Sequence, residues 1–185
     1  SPTGSSQPFT FASGIKSGEQ YQVTITTQPT GQTCAVQNGK GIITDSNITN
    51  VLVKCSYAVS VTKFGTGTGT VISNPSGINC GITCTANFEH GTTVTLTATA
   101  DANSEFAGWS GMYPSACIGN TCTFTSLAAA KSVRATFNIK TYPVTVVQGT
   151  GNSTGNVISS PTGINCGTAS ICSANFTYGS SVTLI

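Results

Sequence analysis

The sequence predicts an all-β protein made of tandem small modules of the β-sandwich or β-grasp-like kind, clipped by local disulfides and with almost no helix. Three observations support this. Apolar residues alternate with threonine or serine in several short stretches, such as "TVTLTATA" at 93–100, which is typical of half-buried strands. Eight cysteines fall into four sequence-local pairs. The segment that begins at Tyr57 recurs, with small length changes, from Tyr142.

The first part of the chain, 1–56, is predicted to be a partial immunoglobulin-like β domain. Four candidate strands, "FTFASGI", "EQYQVTITTQP", "TCAVQNGKGII" and "TNVLVKCS", are separated by turn signals, as in a sandwich of short strands. Cys34 lies in phase with Val36, and Cys55 lies in phase with Val53. Both thiols are therefore expected on the apolar face, where a cross-strand disulfide can close.

The second part, 57–138, is predicted to be one complete repeat. "YAVSVTKFGTGTGTVI" alternates, passes through glycines and alternates again, which predicts a hairpin with a Gly-rich tip. A phosphate loop would continue into a helix instead. "HGTTVTLTATA", with Val94 and Leu96 on one face, "TCTFTSL" and "KSVRATFNI" supply further strands.

The third part, 139–185, is predicted to be the N-terminal half of a second copy. Both copies contain "GINCG", but the spacer between the cysteines changes from "GIT" to "GTASI". Because the pair persists while the spacer varies, local bridges are expected. The chain has no initiator Met and no signal peptide, so we interpret it as a mature or excised segment.

Disulfides are the predicted state of all the cysteines. Zinc would need a cluster of four ligands, usually with histidine or C-x-x-C arms, whereas this chain has one histidine, His90, and no C-x-x-C. The setting is then oxidising, and the expected location is extracellular or at the cell surface. The predicted pairs are Cys34 with Cys55, Cys80 with Cys84, Cys117 with Cys122 and Cys166 with Cys172.

Composition argues against several classes of partner. Charged residues make up 6% of the chain, against about 25% in an ordinary soluble domain. The net charge of +2 comes from scattered bases without a basic run, so no nucleic-acid partner is expected. The longest apolar stretch, 127–130, is too short to cross a bilayer, so no direct membrane insertion is expected.

Residues 57–138 resemble the divergent internalin B-repeat family of bacterial surface proteins. The resemblance is carried by "VTKFGTGTGTV", "NPSGINCGITCTANF", "GTTVTLTATADANSEFAGWSG" and "AAAKSVRATF". Residues 142–185 match only the first half of that pattern, and residues 7–56 look like the C-terminal part of a bacterial tandem Ig-like repeat. The resemblance implies an exported multi-domain surface protein, with no catalytic residues to carry over and with varied partners.

Candidates for chemistry are few, and no enzyme, cofactor or metal is predicted. His90 precedes a strand, and its counterpart in the second copy is Tyr178, which indicates a solvated tip. Asp101 and Glu105 form the closest acidic pair, in a segment better interpreted as a turn. A single Asp in "TDSN" at 44–47 is too little for calcium.

Phe106, Trp109 and Tyr113 are the candidate ligand-binding residues. They could form an aromatic platform for a sugar ring, or Trp109 could fill the core of a small module. The leading functional prediction is a structural or adhesive module: a stalk, a spacer, or a filament-forming segment that assembles by strand complementation. The expected partners are neighbouring repeats or copies of the chain itself. The alternative is a carbohydrate- or receptor-binding module, with host or surface glycans or proteins as partners.

Overall fold

The computed structural model describes residues 14–111, 113–147, 155–167 and 171–185. Most of the strand predicted in "FTFASGI" and the Gly-rich tip of the second copy lie outside these residues. In the described part nearly every element is a strand, and the one helical element is a single 3-10 turn at Pro114–Ala116. The predicted all-β class with almost no helix is confirmed.

The first unit contributes two small pairings. Strand β1 (Gln20–Gln22) pairs with β3 (Lys40–Ile42), and β2 (Thr33–Gln37) pairs antiparallel with the first part of β4 (Leu52–Phe64). Cys34 lies directly opposite Cys55 in this register, which explains how a cross-strand bridge closes here. The Ig-like interpretation of this unit stays a prediction.

The central unit is a sandwich of two sheets. Its strands after β4 are β5 (Gly69–Asn74), β6 (Thr85–Glu89), β7 (Val94–Ala100), β8 (Ser104–Gly111), β9 (Cys117–Ile118), β10 (Thr121–Phe124) and β11 (Lys131–Ile139). One sheet has the order β2-β4-β11-β8, with β6 on β4 as well; the other has the order β5-β7-β10-β9.

A single core lies between these two sheets. Val94 and Leu96 of β7 are fully buried, as their alternation with threonine predicts, and they pack in one cluster with Val133 and Phe137 of β11. Burial of each such side chain contributes about 1.5–3 kcal/mol. The face of β7 that carries the threonines points away from this core.

The predicted hairpin between β4 and β5 is wrong. These strands belong to different sheets, and the glycines between them carry the chain from one sheet to the other. The crossing is tight: Gly67 N–H donates to Phe137 O at 2.8 Å, and a Cβ on Gly69 would overlap the Phe137 ring. Glycine is needed here for close approach to a neighbouring strand, not for a turn at a tip.

The second copy repeats the pairings of the first. Its strands are β12 (Thr141–Thr145), β13 (Val157–Ser160), β14 (Asn165–Cys166), β15 (Ser173–Thr177) and β16 (Thr183–Leu184). Tyr142 pairs with Phe176 across β12 and β15, as Tyr57 pairs with Phe88 across β4 and β6. A buried serine in each copy, Ser73 or Ser159, accepts a hydrogen bond from the isoleucine N–H five residues later.

The glycine crossing generates a stability prediction. We expect Gly69→Ala to lower the free energy of unfolding by about 1–3 kcal/mol, because the new methyl group displaces the buried Phe137 ring. Urea denaturation followed by fluorescence measures the loss. Gly81→Ala is the matched control, since its nearest neighbour would be Thr70 Cγ2 at 3.7 Å, and it should change stability by no more than about 0.5 kcal/mol. Equal effects of the two substitutions would contradict the crossing.

Candidate functional site

The three predicted aromatic residues lie around the end of β8, on the rim of the core. Phe106 contacts Trp109 with ring centroids 5.4 Å apart and an interplanar angle of 67°. Tyr113 packs instead edge-on against Phe124 at 6.0 Å, and Lys131 Nζ lies 4.0 Å from its ring centroid. The Phe106–Trp109 pair and Tyr113 thus have separate contacts with the core.

Trp109 is turned toward the protein. The residue is partly buried against the core cluster, and its Nε1 is buried without a hydrogen-bond partner among the described residues. A sugar platform requires an aromatic face that is open to solvent, whereas a large aromatic side chain in the core gives up its surface to packing. These observations favour packing over a platform, and the ligand-binding role of Phe106, Trp109 and Tyr113 remains an untested prediction.

The candidate catalytic residues occupy structural positions. His90 N–H donates to Cys55 O, and the His90 ring lies 5.9 Å from Tyr57. The backbone carbonyl of Asp101 accepts the Ser104 N–H at 2.9 Å and closes a turn, and Glu105 lies exposed on β8. Within the described ranges, no group of three or more His, Cys, Asp or Glu side chains could hold a metal ion.

The four disulfides join the four sequence-local pairs: Cys34–Cys55, Cys80–Cys84, Cys117–Cys122 and Cys166–Cys172. Three of them close loops of a few residues. The bridge from Cys34 to Cys55 differs, because it links two neighbouring strands just before the central unit begins. All eight sulfurs are therefore engaged, and redox chemistry at a free thiol is not available to them.

The junction between the first and central units contains no linker. Strand β4 runs without interruption through the predicted boundary at 56 and 57, and Ser56 is paired with Thr33 of β2 on one side and with Glu89 of β6 on the other. A strand paired on both edges cannot bend freely at that residue. The predicted domain boundary is thus a point of structural continuity.

Side chains reinforce this junction. Lys54 Nζ forms an ion pair with Glu89 at 2.9 Å, which joins the first unit to β6. Gln32 Nε2 donates to the Tyr57 hydroxyl at 2.6 Å, close to the His90 contact described above. The ion pair is more than one-third exposed and contributes little stability by itself, but each contact fixes the orientation of one unit against the next.

The junction between the central unit and the second copy is built in the same way. Lys140 is the one residue between β11 and β12. Its N–H donates to Asn103 O and its Nζ donates to Ala102 O in the central unit, while its carbonyl accepts the Tyr178 N–H of the second copy. The last of these bonds matches the one from His90 N–H to Cys55 O at the first junction.

These two junctions are the feature that the sequence analysis missed. A strand that leaves one unit and starts the next has no composition change, and Ser56 and Lys140 carry no motif. At each junction a backbone carbonyl, that of Cys55 or of Lys140, accepts a hydrogen bond from the residue that follows β6 or β15. This repeated bond could have been inferred only by superposing the two copies. We take the junctions as the candidate functional site.

The aromatic cluster yields a prediction that separates core from platform. Trp109→Ala should lower the free energy of unfolding by roughly 2–4 kcal/mol, because it removes a large side chain packed against the core. Thermal unfolding measures the loss, and a glycan array compares binding. Ile82→Ala is the control, since Ile82 is 92% exposed. Unchanged stability together with lost glycan binding would support the platform instead.

No helix in the described part of the chain is long and apolar enough to span a membrane.

Comparison with known proteins supports the resemblance over the central unit. No curated protein and no solved structure gives a significant match to the chain. Residues 57–141 match the family model of the divergent InlB B-repeat domain, which confirms the predicted resemblance for this stretch, while that of the preceding Ig-like unit stays a prediction.

Proposed function

We propose that this chain is a non-catalytic segment of an extracellular bacterial surface protein and acts as a stiff spacer. The observation that carries the proposal is the absence of a linker at both junctions. Strand β4 serves two units, and a single residue, Lys140, separates β11 from β12. Modules joined by several flexible residues would sample many orientations. A shared strand, or a single residue held by hydrogen bonds to both units, restricts them.

Composition and the disulfides support the location. The four disulfides suit an oxidising compartment outside the cytoplasm, and the family that matches residues 57–141 is one of surface repeats. A surface rich in threonine, serine, glycine and asparagine, with 6% charged residues, offers no strong electrostatic attraction to a partner. Such a surface fits a segment that holds another domain at a distance.

Stiffness is tested by breaking one junction. Inserting Gly-Ser-Gly-Ser after Lys140 should separate the hydrogen bonds to Asn103 and Tyr178, so the chain should gain bending freedom at that point. Small-angle X-ray scattering should show a broader distribution of long interatomic distances, and electron micrographs should show a bend. Circular dichroism and the melting profile should change little.

The matched control places the same insertion between Ser46 and Asn47, in an exposed loop of the first unit away from the junctions. The control should scatter like the wild-type chain. If the wild type itself shows free bending at Lys140, or if both insertions change the scattering equally, the spacer proposal is wrong.

A second candidate function, assembly by strand addition, is supported by one edge of β12. Val146 N–H donates to Cys172 O as Val61 N–H donates to Cys84 O, so the next residue, Val147, turns its N–H toward the opposite side. In the central unit that side of β4 carries β11. Among the described residues no strand pairs with β12 there, and Val147 is 85% exposed. An extended segment of a second copy would fit this edge.

Strand addition predicts concentration-dependent association that depends on a backbone N–H. Val147→Pro should abolish association, because proline removes the donor, while Val147→Ala should retain it. Sedimentation velocity across a wide concentration range measures both variants. A wild-type chain that remains monomeric throughout would rule out this second candidate and would leave the spacer proposal untouched.

A further inference from the structure

We propose that the parallel pair β4–β11 is a mechanical clamp that makes the central unit resist stretching along the chain. The first and last strands of this unit lie side by side and run in the same direction, with six residue pairs from Val59 with Lys131 to Phe64 with Thr136. This property deepens the proposed spacer function, because a clamp lets the spacer carry a stretching force. It rests on the spacer proposal only for the biological source of that force.

The direction of loading follows from the topology. Tension enters at the N-terminal end of the paired part of β4 and leaves at the C-terminal end of β11, through Ile139 and Lys140. Because the strands are parallel, these two ends lie at opposite ends of the pair, and tension slides one strand along the other. All the hydrogen bonds between the strands then carry the load together. Antiparallel terminal strands would instead be peeled apart one bond at a time.

Further strands cover part of the clamp. Strand β6 pairs with β4 on the far side at Val59 and Ser60, and β8 pairs with β11 on its far side from Val133 to Thr136, so this part of the clamp lies inside the sheet β6-β4-β11-β8. There another strand, and not solvent, occupies the outer edges. Interior bonds in a low-dielectric setting are also stronger than exposed ones.

One face of the clamp is anchored in the core. Val59, Val61, Val133, Ala135 and Phe137 are all buried to at least 96%. Sliding β4 by one residue would turn the other set of side chains inward, because facing alternates at every residue. The β4 side chains that would turn inward include that of Thr62, which is exposed in the native register. Core packing and hydrogen bonding therefore resist the same movement.

Load reaches the clamp by a covalent route on one side. The disulfide Cys34–Cys55 connects β2 directly to the residue two positions before Tyr57, so tension from the first unit bypasses the residues between the cysteines. Within the central unit, by contrast, neither Cys80–Cys84 nor Cys117–Cys122 links β4 to β11. The two strands are held to each other without a covalent cross-link.

The decisive experiment changes the pulling direction and leaves the protein otherwise the same. Single-molecule force spectroscopy of the full chain uses attachment residues at Leu52 and Thr141, which load the clamp in shear, or at Thr66 and Thr141, which open it from one end. All three side chains are exposed, and Thr66 Oγ1 accepts the Ile139 N–H, which places Thr66 at the end of β4 next to the exit of β11.

We expect the unfolding force in the shear geometry to be several-fold higher than in the opening geometry at the same pulling rate. The event can be assigned to the central unit, because reduction of the two short disulfides, with separations of 4 and 5 residues and Cα–Cα distances of 4.3 and 3.9 Å, should lengthen it by about 23 Å. Equal forces in the two geometries would overturn the clamp.

Two matched core variants distinguish a clamp from general stability. Val133→Ala removes buried methyl groups from β11, and Val94→Ala removes the same groups from β7; the native side chains are 1% and 0% exposed. We expect similar falls in the melting temperature but a larger fall in shear force for Val133→Ala. Equal falls in force would show that force follows overall stability, and the clamp would be rejected.

Failure of the clamp and failure of the spacer proposal give different results. A chain that scatters as a stiff rod but yields at the same force in both geometries would retain the spacer and lose the clamp. A chain that bends freely at Lys140 yet shows the directional difference in force would lose the stiff spacer and retain the clamp.

Discussion

The parallel pairing of β4 with β11 is the constraint on which the rest of the structure depends. It places the first and last strands of the central unit in the middle of one sheet, with β6 and β8 outside them. The chain therefore enters and leaves at opposite ends of the same strand pair. As a direct result, β4 can extend backward into the first unit and β11 can lead forward into β12, with no linker required at either junction.

The same pairing determines what the Gly-rich segment must do. Strand β4 carries β11 on one edge up to Phe64 and β6 on the other edge up to Ser60, and after Phe64 the chain passes to the second sheet. That passage runs directly beside the end of β11, where Phe137 is fully buried. Gly65 adopts a φ of +94°, and Gly67 and Gly69 lie too close to β11 for a side chain. The glycines thus follow from the topology of the sheet.

Local features of this fold could be predicted from the sequence, and non-local ones could not. Alternation predicted β7, β10 and β11 because it depends only on which face of a strand is buried, and sequence-local cysteines predicted their bridges because short loops bring the thiols together. The partner of a strand is not encoded in its own alternation, so β5 was assigned to β4. Strand β8 was missed because a bulge beside Gly108 breaks its alternation. For Trp109, sequence identified a large aromatic residue but could not give the direction of its indole N–H.

The disulfides and the non-covalent contacts stabilise different parts of the chain. Chain-entropy estimates give about 2 kcal/mol for a bridge across 4–6 residues and about 3 kcal/mol across 21, so all four bridges stabilise the folded chain by comparable amounts. Their positions differ more than their energies. Three close short loops beside strands, and the fourth, Cys34–Cys55, joins two strands in the first unit. None fastens β4 to β11. Register between these two strands therefore rests on backbone hydrogen bonds and on valine and phenylalanine packing, both of which can re-form after they separate.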